Sequence, residues 1–337
     1  MSNRDRAFNS NSSSCLVIGG GISGLITATI LQRKGIKVTV LDKGRGIGGR
    51  LATRRVRHSE DIEGVFDYGT QYFSPSDPQF KVWVDDWIEQ DVVIEWCRGF
   101  GNSDDQRRYR GVGGTRSIAK YLAQDLDVRT STKVVKLNWH DSQWLIETED
   151  DAQFQGDILV MTPPVPQSLA LLDSSNIVVP REIKNRLEQI SYHTCLAVLA
   201  LLKTASNIPA PGGLASEEPL VWMTCNHQKG ISPKGYAVTL HATPDFSETN
   251  WDKDDQEIAA QLLAAASPWL NSEILEYQVH RWRYSLPKTF YGEPYLALSE
   301  LLLVMAGDAF VAPKLEGAVQ SAIAAAEYIS TLDLWQK

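Results

Sequence analysis

Gly19, Gly21 and Gly24 are spaced as G-x-G-x-x-G, and Asp42 follows the last of them by 18 residues. Three glycines and one acid at this spacing are the parts needed to hold a dinucleotide. The first glycine makes a tight turn, the second lets the backbone approach a pyrophosphate, and the third lets a helix pack closely on a strand. The start of that helix offers unbonded N–H groups and a positive dipole end to the anion. An acid about 20 residues further on can grip a ribose. A carboxylate there repels a 2′-phosphate, so the pattern argues against NADP and leaves NAD and FAD open.

The elements that must position these residues are legible around them. Residues 15–18 read as a short buried strand, 24–34 as a helix, and 37–41 as a second strand closing on Asp42. This strand–turn–helix–strand order sets the glycines apart from an ordinary turn.

KGRGIGGR follows at 43–50. A glycine pair and an arginine so soon after the ribose acid do not belong to a simple NAD fold. They resemble the second fingerprint of the amine-oxidase-type flavoproteins, which implies FAD. In that class the glycine pair lets the chain pass the pyrophosphate, and Arg50 adds a charge-assisted contact. Read without the resemblance, Gly48 and Gly49 are a plain turn and Arg50 a solvated charge. Further on, the apolar run 301–305 leads to Ala306, Gly307 and Asp308, and Glu316, Gly317 and Ala318 open a small-residue helix over 319–329. The resemblance lays Asp308 against the ribityl and pyrophosphate. It aims the helix start at the flavin ring, where a positive end favours the anionic reduced form. Gly317 would allow close approach. Taken alone, this segment is equally a plain amphipathic helix.

FDYGTQYF at 66–73, GVGGTRS at 111–117, YAVTLHATPDFS at 236–247 and HRWRYSLP at 280–287 narrow the resemblance. In this order they resemble the renalase family and its bacterial relatives, over about residues 15–329. The resemblance implies an FAD-dependent oxidase acting on isomeric dihydronicotinamides, the 2- or 6-dihydro forms of NAD(P). Hydride passes to the flavin, and dioxygen reoxidises it to give hydrogen peroxide. It implies cofactor contacts at Gly19, Gly21, Ile22, Ser23, Gly24, Asp42, Lys43, Gly49, Arg50, Leu51, Tyr68, Gly69, Thr70, Gln71, Tyr72, Val135, Asp308, Gly317, Ala318 and Val319. It implies catalytic or substrate contacts at His241, Trp282 and Tyr284. Two departures stand out: Asp42 occupies a position where many of the class carry glutamate, and CNHQKG at 225–230 replaces an expected, more basic stretch.

The residues themselves leave some roles open. His241 ends a strand pattern and either orients substrate or serves the fold. Trp282 and Tyr284 alternate with Arg281 and Arg283, so the two rings share one strand face. That face is either a wall for a flat ring or a packed sheet surface. The histidines lack metal-ligand spacing and no C-x-x-C pair occurs among the four cysteines, so no metal is expected. No cysteine follows Cys225, whereas monoamine oxidases tether flavin through a C-terminal cysteine; FAD is therefore expected to bind non-covalently. G-x-S-x-G is absent, which removes the hydrolase elbow.

The 337 residues carry a net charge of −8, which argues against nucleic acid or an anionic membrane surface as partner. A small-molecule substrate, a dihydronicotinamide nucleotide, and dioxygen are the expected partners. No apolar stretch approaches the roughly 20 residues of a membrane span. Residues 1–14 are Ser/Asn-rich and lack a signal-peptide core, so they are expected to be a disordered tail on a cytoplasmic protein.

Helices are expected over 80–98, 115–125 and 252–266, the last stopped before Pro268. A polar loop is expected at 99–110 and two strands within 128–149 around Asp141 and Ser142. Further strands are expected at 157–161, 195–202, 220–225, 236–241 and 275–284. The fold class is then α/β, a discontinuous Rossmann-type FAD-binding domain (15–79, 107–165 and 301–337) with an α+β substrate domain (80–106 and 166–300) containing an antiparallel sheet. Two alternatives accompany the dihydronicotinamide oxidase: a flavin amine oxidase or an enzyme of the desaturase or porphyrinogen-oxidase type, and a non-enzymatic flavin redox sensor.

Overall fold

The computed structural model describes residues 13–100 and 105–332. The tail expected to be disordered lies, apart from residues 13 and 14, outside them. Six strands form one sheet in the order Leu296–Leu298, Leu303–Met305, Ile158–Met161, Ser14–Ile18, Lys37–Leu41 and Asp127–Arg129. Only the first of these is antiparallel to its neighbour. A parallel sheet is buried on both faces, which is why SCLVI, KVTVL and ILVM are nearly unbroken apolar runs.

The helix Ile22–Arg33 follows the first strand, and the helix Leu315–Ser330 packs beside it. Small and hydroxylated residues bring the two backbones close: Ser23 Oγ donates to the Ala318 carbonyl at 3.0 Å and Thr27 Oγ1 to the Ala322 carbonyl at 3.3 Å. Val17, Val40, Val160, Ala325 and Ile329 share the core beneath them.

A second, antiparallel sheet runs Gly213–Ala215, Leu220–Cys225, Tyr236–Ala242, Tyr192–Leu202, Ile274–Pro287. The helix Asp255–Leu270 covers one of its faces. The separate meander Val134–His140, Gln143–Thr148 and Gln153–Gly156 turns at Asp141 and Ser142, as the pattern predicts.

Three expectations are corrected. The helix expected over 80–98 is Pro78–Glu89, with the Asp77 carboxylate accepting from Phe80 N at 2.9 Å. Asp91 takes a left-handed φ of 54°, and the chain turns into the strand Val93–Arg98. That strand pairs with Arg107–Gly111, which takes the end of the expected polar loop. Phe80, Val84 and Trp87 pack with Ile22, Leu25 and Val319. Finally, Asp255–Leu270 runs through Pro268 to Asn271. Pro268 and Ala264 are exposed, so the carbonyl that proline cannot serve is open to water, while buried Leu270 holds the last turn.

Among the described residues, no helix is long and apolar enough to cross a membrane, and no group of three or more His, Cys, Asp or Glu side chains is placed to hold a metal.

Candidate active site

A cleft of about 1970 Å³ opens where the parallel sheet meets the antiparallel one. The glycine turn forms one side. Gly19 takes φ +108° and its N–H donates to the Leu41 carbonyl at 2.8 Å. A Cβ on Gly24 would run into the Gly19 carbonyl, so the third glycine serves helix–strand packing and does not line the cleft. A Cβ on Gly21 would meet nothing within 4 Å, since that face looks into the opening. Gly48 N donates to the Gly20 carbonyl at 2.8 Å, which clips the second glycine motif across the first.

The acid and the arginine each have partners within the protein. Asp42 accepts from Gly20 N at 2.5 Å and Gly44 N at 2.6 Å, so its carboxylate first closes the glycine turn. Arg50 is held in a fork by Asp308 at 2.6 and 2.8 Å and donates to the Ser285 carbonyl at 2.9 Å. The two groups expected to touch the cofactor separately form one ion pair.

Tyr68, Gly69, Thr70, Gln71 and Tyr72 line the deeper part. Their position is set from both sides. Asp67 is fully buried and accepts from Thr53 Oγ1 at 2.6 Å, Thr115 N at 2.9 Å and Lys229 Nζ at 2.7 Å. Lys229 also donates to the Gln71 carbonyl at 2.5 Å. Burial pushes the Lys229 ammonium below its ordinary value, against the pull of Asp67. The Tyr68 carbonyl accepts from His241 Nε2 at 2.9 Å and from Trp282 Nε1 at 2.8 Å. A carbonyl can only accept, so His241 carries its proton on Nε2. Burial pushes its pKa down, in spite of that hydrogen bond.

Two groups of rings wall the cleft. Tyr68 stacks on Trp282 at 5.2 Å, His280 stands edge-on to both at 4.7 and 4.4 Å, and Tyr284 meets Tyr192 edge-to-face at 5.4 Å. Burial, with Arg54 and His241 next, pushes His280 down to about 4.

The structure brings His241, Trp282, Tyr284 and most of the expected cofactor residues to this one cleft: Gly19, Gly21, Ile22, Ser23, Asp42, Lys43, Gly49, Arg50, Leu51, Tyr68–Tyr72, Asp308 and Ala318. It leaves out four. Gly24 is packed as described, Gly317 is pressed against the Ala312 backbone, and Val319 is fully buried. Val135 points outward while its neighbour Val134 lines the cleft. The sequence reading missed Lys229, since a lysine in a polar stretch reads as surface. It missed His280 and Arg54, which only the fold brings to Tyr68.

Two observations test whether FAD fits. Both helices Ile22–Arg33 and Leu315–Ser330 begin without a side-chain cap, and both starts face the cleft. Buried polar atoms of cleft residues, Gln71 Oε1, Arg116 Nε, His193 Nδ1 and Thr194 Oγ1, lack a hydrogen-bond partner among the described residues. Both features suit a long polar ligand. Residues 19–23 with Gly48 and Gly49 would hold its diphosphate, Thr132–Val134 beside Asp42 its adenosine, and Tyr68–Tyr72 with Ala318 its flavin.

Comparison with known proteins agrees. Residues 17–87 match the NAD(P)-binding Rossmann-like domain and residues 89–330 match the flavin containing amine oxidoreductase family. The chain is 24% identical to renalase of Mus musculus over 334 residues, covering 91% of this chain and 96% of the mouse protein. A chloroplastic protoporphyrinogen oxidase of Oryza sativa subsp. japonica is 36% identical over 84 residues, 25% of this chain and 15% of that protein. Among solved structures, a putative protoporphyrinogen oxidase from Exiguobacterium sp. 255-15 superposes with a TM-score of 0.70 at 15% identity, covering 95% of this chain and 99% of the other. A putrescine oxidase double mutant superposes with a TM-score of 0.65 at 15% identity, covering 96% and 100%. Identities this low speak to shared fold alone. The family match, which takes in well over half of the sequence, does more: this chain belongs to the flavin containing amine oxidoreductases and is an FAD-dependent oxidoreductase.

Proposed function

We propose that the protein oxidises the 2- or 6-dihydro isomers of NAD(P)H: dihydronicotinamide, a proton and dioxygen give NAD(P)⁺ and hydrogen peroxide. Bound FAD supplies the hydride acceptor and the route to dioxygen. The observation that carries this reading is the charge of the cleft. In a chain of net charge −8, thirteen lysines and arginines line it against three carboxylates among the described residues. All three carboxylates are engaged: Asp42 by Gly20 and Gly44, Asp308 by Arg50, and Glu316 by Ser76 and Asp77. A cationic amine finds no free counter-charge there. A phosphate-bearing dinucleotide meets an excess of cations, five of which (Arg50, Arg55, Arg107, Lys133 and Arg281) are themselves paired with acids.

The chemistry of the wall agrees. Burial pushes both His241 and His280 below the ordinary imidazole value, His280 to about 4, so neither is a strong base. A dihydronicotinamide needs none, because its ring nitrogen drives hydride out. Trp282, fixed through the same carbonyl, offers a flat face to stack such a ring. Similarity to renalase supports the same substrate class.

The test is anaerobic stopped-flow loss of flavin absorbance with each donor. The dihydro isomers are expected to reduce the enzyme faster than 4-dihydro NADH or simple amines. Fast reduction by a monoamine with none by the isomers moves the assignment to an amine oxidase. Reduction by no donor makes the protein a flavin sensor.

A further inference from the structure

We propose that Arg116 is a cofactor-diphosphate ligand, standing in the space that Gly46 leaves open. Its guanidinium packs where a side chain on Gly46 would be: Arg116 Cζ lies 2.8 Å from the position of a Cβ there, and a guanidinium nitrogen is closer still. Gly46 does not carry the positive φ that would by itself call for glycine, so the guanidinium is what a side chain there would have to push aside. Two residues on, Gly48 is clipped to Gly20 and paired with Gly21, the glycine whose open face looks into the cleft. Arg116 Cγ lies 3.8 Å from a Cβ placed on Gly48. The side chain thus runs along the second glycine motif, beside the turn built for the diphosphate.

Charge accounts for the need. A diphosphate brings two negative charges to this turn. Arg50 is already forked onto Asp308. Lys43, Arg45 and Arg116 all line the cleft, but Lys43 and Arg45 are exposed and Arg116 is half-buried. Among the described residues, no hydrogen bond or ion pair engages its guanidinium, and its Nε is buried without a partner. A planar donor set held against a glycine stretch and left unbonded by protein is suited to phosphate oxygens.

Removing the charge is expected to weaken the cofactor, measured as FAD retained by purified holoenzyme on serial dilution. Arg116→Gln should raise the FAD dissociation constant by about 10- to 100-fold, the range for a hydrogen bond to a charged group. Competition by ADP should weaken in parallel, competition by riboflavin should not, and Arg116→Lys should recover part of the loss. Adding Gly46→Ala to wild type should push the guanidinium aside and weaken FAD, yet add nothing in the Arg116→Gln background. If Arg116→Gln does not fold, Arg116→Met replaces it in every comparison. FAD and ADP affinities within about 2-fold of wild type in the neutral variant overturn the proposal. So does an equal loss for riboflavin and ADP, which marks a general distortion.

Discussion

Lys229→Met isolates the buried ion pair beneath the flavin side of the cleft. Lys229 and Asp67 are both inaccessible to solvent and lie 2.7 Å apart. Breaking such a pair from one side costs about 3–5 kcal/mol, because the remaining charge stays buried. Here Asp67 keeps donors from Thr53 and Thr115, which argues for the low end, while the Gln71 carbonyl loses the donor that Lys229 gives it, which adds to it. Methionine keeps most of the stem volume under Trp96, so little is lost to a cavity. The expected loss is about 3–4 kcal/mol. For a chain of this size that is roughly a 4–6 °C drop in Tm. Urea unfolding of the FAD-depleted protein measures it. Asp67→Asn combined with Lys229→Met removes both charges and should be less damaging than the sum of the single variants by about 2 kcal/mol. A single-variant loss under about 1 kcal/mol, or strict additivity in the double, would refute the claim that a charged pair holds residues 67–71 in place.

Three further outcomes are expected. His280 titrates near 4 when folded against 6.5 when unfolded, so the unfolded chain binds the extra proton first. Stability should therefore fall as pH drops from about 6.5 to 4, and His280→Gln should flatten that part of a Tm-versus-pH curve. Asp308→Ala should cost about 2 kcal/mol, since Arg50 keeps partial exposure and the Ser285 carbonyl, and should also lower FAD retention on dilution. Acid or detergent denaturation should release FAD intact: Cys195 alone of the cysteines lines the cleft, and burial pushes its thiol up to about 12. Flavin left on the precipitated chain contradicts this.

What the sequence made legible is what local pattern encodes. The run from Cys15 to Asp42 could be read as strand, glycine turn, helix and strand because each residue's role depends on near neighbours. The hairpin at Asp141 and Ser142 was equally local. The end of the helix at Glu89 was not, since Val93 and Ile94 become strand only by pairing with Arg110 and Gly111. Site chemistry followed the same division. Glycines that shape their own turn could be named, whereas the partners of Asp42 and Arg50 could not. Arg50 meets Asp308 across more than 250 residues, and the Tyr68 carbonyl draws donors from two separate strands. Lys229 gave no signal at all, because a buried lysine and a surface one look alike in sequence.

The parallel sheet has a consequence for how this protein is made. Its strand Ile158–Met161 is flanked by Ser14–Ile18 on one side and by Leu303–Met305 on the other. During synthesis the first flank is ready early, but the second does not exist until some 140 residues later. Until then Leu159 and Met161 lack ladder partners on that second side, and the face of the first helix that receives Ala318 and Ala322 stays uncovered. The antiparallel sheet, by contrast, is complete once residue 287 has emerged. A growing chain can therefore finish its second sheet while the nucleotide half waits, sticky along one edge, for the segment 303–330 to close it.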